Sequence, residues 1–117
     1  MLPTAHRMRR SPDFTLAMRG RRAGSRSLVV HWGRGPDDEA DEPALAGFVV
    51  SRAVGDAVTR NRVKRRLRAG VAARLGEVPA GSRLVVRALP PSAASTWQQL
   101  TEELDRGLTR VLSDRRG

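Results

Sequence analysis

The spacing of apolar residues changes period several times along the chain. From Ser27 to Trp32 it alternates, with Leu28, Val30 and Trp32 on one side and Val29 and His31 on the other, which predicts a strand. A second alternating run, Leu45 to Ser51, sets Phe48 and Val50 against Val49 and Ser51. A third, Arg83 to Leu89, sets Leu84, Val86 and Ala88 against Val85 and Arg87 before Pro90-Pro91 stops it. Between the second and third runs the period becomes helical. Val63, Leu67 and Val71 recur at i, i+4 and i+8, Asp56 is a good N-cap, and Gly76 with Pro79 supplies a stop, so a helix is expected from about Ala57 to Leu75.

Two further helices follow from the same reasoning. Near the start, Ser11-Pro12-Asp13 reads as N-cap, proline at the first helical position and an acid in the first turn. The short helix from Pro12 to Met18 ends at Gly20, with Phe14, Ala17 and Met18 on one face. Near the end, Ser95 caps a helix whose Trp97, Leu100, Leu104, Leu108, Val111 and Leu112 fall at core spacing, which favours packing over base stacking for Trp97. The 117 residues then form one domain, a two-layer α/β (α+β) sandwich with helices mostly on one face of a small sheet. Residues 33–43 are expected to be a mobile polar loop and residues 113–117 a frayed tail.

Charge changes this picture. The formal net charge is +10, and five of the twelve acidic residues sit between Asp37 and Glu42, leaving 22 basic residues against seven acidic ones elsewhere. Six basic residues fall between Arg60 and Arg68 with no acid among them. On the helix, Asn61, Arg62, Arg65 and Arg68 lie broadly opposite the apolar stripe. Lys64 and Arg66 flank it, and Arg60 stands near its edge. Arg60/Lys64, Lys64/Arg68 and Arg62/Arg66 repel at i, i+4, each costing a few tenths of a kcal/mol, roughly. Solvated faces usually mix signs; a face left this repulsive suits a polyanion, whose phosphates relieve it. Arg9, Arg10, Arg21, Arg22 and Arg52 read as a secondary basic patch.

Candidate chemistry is sparse. Two histidines, His6 and His31, lie in separate segments, and there is no cysteine for disulfides or thiolate metal sites. The acidic loop lacks the Asp-x-Asp-x-Asp-Gly order of a calcium loop, so no protein-bound metal is expected and the loop is read as pointing away from the polyanion. No catalytic side chain is assigned. The N-terminus has no apolar signal core, and no run reaches the ~20 apolar residues of a membrane span, so a cytoplasmic location is expected.

The run Ser51-Arg52-Ala53-Val54-Gly55-Asp56-Ala57-Val58-Thr59-Arg60-Asn61-Arg62-Val63-Lys64-Arg65-Arg66-Leu67-Arg68 resembles the signature of the bacterial ribonuclease P protein subunit. The family pattern is Ser-Lys-Lys-(Val/Ile)-Gly-Asn-Ala-Val-x-Arg-Asn-Arg-(Val/Ile)-Lys-Arg-x-(Leu/Ile)-Arg. Arg52 keeps a charge where lysine is usual, Ala53 loses one, and Asp56 replaces a common Asn while keeping its capping role. The resemblance covers roughly residues 7 to 112. It implies three helices on a mixed sheet of about four strands in αβββαβα order, with a short strand near Arg21–Gly24 and a left-handed crossover at the basic helix.

The resemblance further implies an RNA-binding subunit that assists a catalytic RNA in removing the 5′ leader of precursor tRNA. The RNA and its Mg²⁺ would perform the hydrolysis, with one protein monomer per RNA. Arg60, Asn61, Arg62, Lys64, Arg65, Arg66 and Arg68 would grip RNA. The family's Asp-Phe context carries to Phe14 a place in a cleft for the single-stranded leader, although Met18 lacks the ring some members have. Strand alternation proposes the cleft floor: Val29, His31, Val49, Ser51, Val85 and Arg87 share the face opposite the large apolar residues, with His31 where an aromatic residue is common. The alternative is a small ribosomal or RNA-assembly protein with no processing role. A DNA-binding module ranks third, since no helix-turn-helix or zinc pattern is present.

Overall fold

The computed structural model describes residues 2–113. After a short 3-10 turn (Thr4–His6), the elements are α1 (Ser11–Arg19), β1 (Arg21–Gly24), β2 (Leu28–Arg34), β3 (Leu45–Val50), α2 (Ala57–Ala73), β4 (Ser82–Ala88) and α3 (Trp97–Ser113). Further 3-10 turns occupy Asp37–Glu39, Leu75–Glu77 and Pro90–Ala94. The sheet order is β1-β2-β4-β3. β1 with β2 and β2 with β4 are antiparallel, whereas β3 and β4 are parallel neighbours joined through α2. This is the three-helix, four-strand mixed sheet expected.

Local chemistry explains the boundaries. The Asp56 carboxylate accepts from the Thr59 amide at 2.9 Å and starts α2. Its pKa is lowered, first by that backbone hydrogen bond. α2 ends at Ala73, earlier than the expected Leu75, because the chain tightens into the 3-10 turn there. α3 is capped by Thr96 instead of Ser95: Thr96 and Gln99 exchange side-chain and backbone hydrogen bonds at 2.9 and 3.0 Å, a capping box. Ser113, assigned by sequence to the tail, is the last residue of α3; the remainder of that tail lies outside the described residues.

α2 and α3 cover one sheet face. Val63, Leu67 and Val71 from α2 and Leu100, Leu104, Leu108 and Val111 from α3 pack on Leu28, Val30, Leu84 and Val86. Gly70 lets the helices close, since a Cβ there would stand 2.5 Å from Leu104 Cδ2. Trp97 is not part of this core. It is the first residue of α3, one turn ahead of Leu100 where the packed stripe begins, and it is 46% exposed.

α1 covers part of the other face, where Met8, Ala17 and Val85 form a smaller cluster joined by Phe14 and Leu45. The turn into β1 and the far end of β2 must approach α1 closely. A Cβ at Gly33 would lie 2.1 Å from the Leu16 carbonyl oxygen, and one at Gly20 would lie 2.0 Å from that of Trp32. β3 would be an open edge, but the N-terminal segment borders it: the Met8 amide donates to the Ala46 carbonyl at 2.9 Å, and Arg7 bridges Ala46.

The acidic loop is docked, contrary to the expectation of a mobile connection. Arg83, 1% exposed on β4, donates from Nε to Asp13 Oδ1 at 2.7 Å and from Nη2 to Glu39 Oε2 at 2.5 Å. Backbone bonds from Gly35 to Gly81 and from Gly81 to Glu42 close the loop against the β4 entry. A buried guanidinium needs carboxylate partners, and it draws one from the loop.

Candidate RNA interface

α2 presents its charge along the face left outside the core. Asn61 and Arg65 are exposed, and Arg60, Arg62, Lys64, Arg66 and Arg68 are half-buried. Among the described residues none of these six cations meets a carboxylate within ion-pair distance. They are not equivalent, however. Arg62 Nη2 donates to the Ala93 carbonyl at 3.1 Å and Arg66 Nη1 to that of Ser95 at 3.3 Å. These two arginines tether α2 to the segment before α3 and still keep their charge.

Phe14 is the side chain α1 contributes. Its ring lies on Gly47 of β3, where a Cβ would stand 2.7 Å from Phe14 Cε1 and 3.2 Å from Met8 Sδ. Only glycine leaves room for the ring at that height. Beside it a groove of about 250 Å³ runs between α1, the N-terminal segment, the β3 edge and α2. Phe14, Phe48, Arg7, Arg9, Lys64 and Arg68 are among its lining residues. Among the described residues, the groove thus joins two phenylalanines to four cations and is lined by no carboxylate. Gly47 was not singled out in the sequence; a glycine within an apolar strand run was the available signal.

The proposed cleft floor is only partly open. Val85 is fully buried beneath α1 and Met8, His31 is 2% exposed, and Val29 is buried as well. α1 packs over Val85, and with all three side chains buried none of them, His31 included, offers a surface to a base in this structure. Val49 and Ser51 are exposed and Arg87 is half-buried. Val49 pairs across the ladder with Arg87, and Gly47 with Val85, so the open part of the face continues directly from the Phe14 seat.

His31 instead serves Arg87, whose Nε donates to His31 Nε2 at 3.1 Å. Burial first, and then the charges of Arg87 and Arg22, lower the His31 pKa, so the ring stays neutral and can accept. The secondary basic patch does not assemble either. Arg9 faces the groove. Arg10 lies between Asp13 and Glu39 at 3.5 and 3.6 Å. Arg21 stacks over Trp32, 5.1 Å from the ring centre, and donates to the Val111 carbonyl at 2.9 Å on the helix-covered face. Arg22 lies on the opposite face, paired across the ladder with His31, and Arg52 is exposed ahead of α2.

A compact α+β scaffold with an unneutralised arginine helix and an aromatic groove defines a small RNA-binding protein. The Ribonuclease P family model matches residues 2–112, and the chain belongs to that family. It is 52% identical to the ribonuclease P protein component of Streptomyces bikiniensis over 96% of both chains, and 50% identical to that of Acidothermus cellulolyticus over 95% of this chain and 92% of the other. Among solved structures, the Staphylococcus aureus RNase P protein superposes with a TM-score of 0.78 at 27% identity, covering 92% of this chain and 95% of the other. The Thermotoga maritima RNase P protein gives 0.69 at 25% identity, covering 92% and 96%. The role is that of the protein subunit of the tRNA-processing endoribonuclease, and the ribosomal or assembly alternative is not favoured. No helix among the described residues is long and apolar enough to cross a membrane.

Proposed function

We propose that the protein recognises the single-stranded 5′ leader of precursor tRNA in the groove beside Phe14, while the α2 face holds the ribonuclease P RNA. The observation that carries this reading is the seat of Phe14 on Gly47, which aims a ring into a groove lined by Arg7, Arg9, Lys64 and Arg68. A base can stack on the ring, and the cations can follow the adjacent phosphates. The chemistry then falls to the RNA subunit and its Mg²⁺; the protein positions the leader and screens the backbone. One monomer acts per RNA, in the cytoplasm.

The test is a paired measurement with holoenzyme carrying Phe14→Ala. Affinity for precursor tRNA with a several-nucleotide leader should fall by an amount corresponding to about 1–3 kcal/mol, the usual worth of one base stacked on an aromatic ring. Affinity for mature tRNA should change little. Equal losses for both RNAs, together with a large fall in thermal midpoint, would assign the ring to packing alone.

A further inference from the structure

Arg87 stands on β4 with exposed Val49 of β3 on one side and buried Val29 of β2 on the other. Its guanidinium makes one hydrogen bond within the protein, from Nε to His31 Nε2 at 3.1 Å. Among the described residues its two Nη atoms have no protein acceptor, are not buried without a partner, and meet no carboxylate. They therefore face solvent, on the side of the sheet where Val49 is exposed and Phe14 is seated.

The tautomer follows from the donor. An arginine Nε always carries hydrogen, so His31 Nε2 must be the acceptor and the ring proton must sit on Nδ1. Nδ1 is buried with no partner. Leaving a buried donor unmatched is costly, and the arrangement does so while using the other ring nitrogen to fix a guanidinium. A residue needed only to fill the space beneath α1 would be better apolar, as its neighbours Val29 and Val85 are.

We propose that His31 is a positioning residue: by accepting from Arg87 Nε it turns the two Nη groups out of the sheet as a fork for one backbone phosphate of the single-stranded leader. A guanidinium held at Nε loses rotational freedom and presents its remaining N–H donors side by side, which matches two oxygens of one phosphate. The strand register suits this division. The ring sits on Gly47, and Val49 with Arg87 forms the next outward-facing row along the same strands. One nucleotide would stack while the phosphate of a neighbour meets the fork. This rests on the leader reading above and adds a second subsite to it.

The experiment measures holoenzyme binding to leader-bearing and leaderless tRNA over a salt series, with Arg87→Ala, His31→Phe, His31→Gln and the Arg87→Ala/His31→Phe double variant. Arg87→Ala should flatten the slope of log affinity against log salt for leader-bearing tRNA by about 0.7, one single-strand phosphate. His31→Phe, which keeps a ring but no acceptor, should lose most of the same slope and add little to Arg87→Ala in the double variant. His31→Gln, whose Oε1 can accept, should recover part of it. Leaderless tRNA should show none of these changes.

An unchanged slope in Arg87→Ala, or a His31→Phe loss that adds in full to that of Arg87→Ala, overturns the proposal. Should His31→Phe fold too poorly to bind RNA, Arg87→Ala and His31→Gln decide it alone: a wild-type slope in the first, or a loss in the second as large as in the first, overturns it. If Phe14→Ala weakens binding of leader-bearing RNA alone while Arg87→Ala leaves both RNAs unchanged, the phosphate fork falls and the leader site stands. If neither substitution weakens leader-bearing RNA selectively, the leader site itself falls.

Discussion

Arg83 Nε lies 2.7 Å from Asp13 Oδ1, and both side chains are almost fully withdrawn from water. The pair ties the first turn of α1 to β4, and the residue after Asp13 is Phe14. Glu39 closes the other side of the same guanidinium, so the acidic loop and the groove helix share one buried cation.

Breaking that pair from one side should be costly. Asp13→Ala leaves a buried, half-neutralised guanidinium, and a loss of about 3–5 kcal/mol is expected. Replacing both partners with apolar residues of similar size, Asp13→Leu with Arg83→Met, should restore most of the stability. Urea unfolding of the single and double variants checks this; equal losses in both would show that the ion pair has no special part in holding α1.

The arginines of α2 should separate into two kinds. Arg62 and Arg66 donate to carbonyls of the segment before α3, so alanine at either should lower stability by about 1 kcal/mol while weakening RNA binding. Arg65 is exposed and, among the described residues, unbonded, and its loss relieves repulsion. Arg65→Ala should leave the thermal midpoint unchanged or slightly raised and still reduce the salt slope by roughly one unit if it meets a phosphate. Thermal melts beside salt-dependent binding to the RNA subunit distinguish the two kinds.

Gly47→Ala should act on the groove without touching a charge. A Cβ in contact with both the Phe14 ring and Met8 forces the ring to lift. The expected result is a selective loss of affinity for leader-bearing tRNA, smaller than that of Phe14→Ala, with little change in binding to the RNA subunit. Filter binding with the two tRNAs measures it; uniform loss for both would mean that the whole of α1 has been displaced.

Glu103 should make the fold acid-sensitive. Burial opposes its ionisation, but hydrogen bonds from Ser25 Oγ at 2.6 Å and the Ser27 amide at 2.8 Å outweigh that, and its pKa is lowered. A depressed folded pKa contributes stability that is present above the unfolded value and is lost as pH falls through the folded one. Glu103→Gln should therefore be less stable near neutrality and lose less than wild type on acidification below about pH 4.5, the ordinary glutamate range. Denaturation midpoints from pH 7 to 3 read this directly.

Much of this molecule was legible along the chain. The period-two runs at 27–32, 45–51 and 83–89 and the Val63/Leu67/Val71 stripe placed three strands and the basic helix, because each pattern reports a local geometry that a half-buried element must satisfy. The uncompensated charge of Arg60–Arg68 was equally plain, since repulsion between neighbours four apart needs no tertiary knowledge. Tertiary structure alone decided which open-looking positions stay open. Parity told that Val29, His31 and Val85 share a face with Val49 and Arg87, but not that packing would close off the first three and leave the last two accessible. It could not reveal that Asp13 reaches across 70 residues to Arg83, that Glu39 follows it, or that Gly47 makes room for Phe14. Those contacts join segments far apart in sequence, and their energies depend on burial, which no single segment's pattern contains.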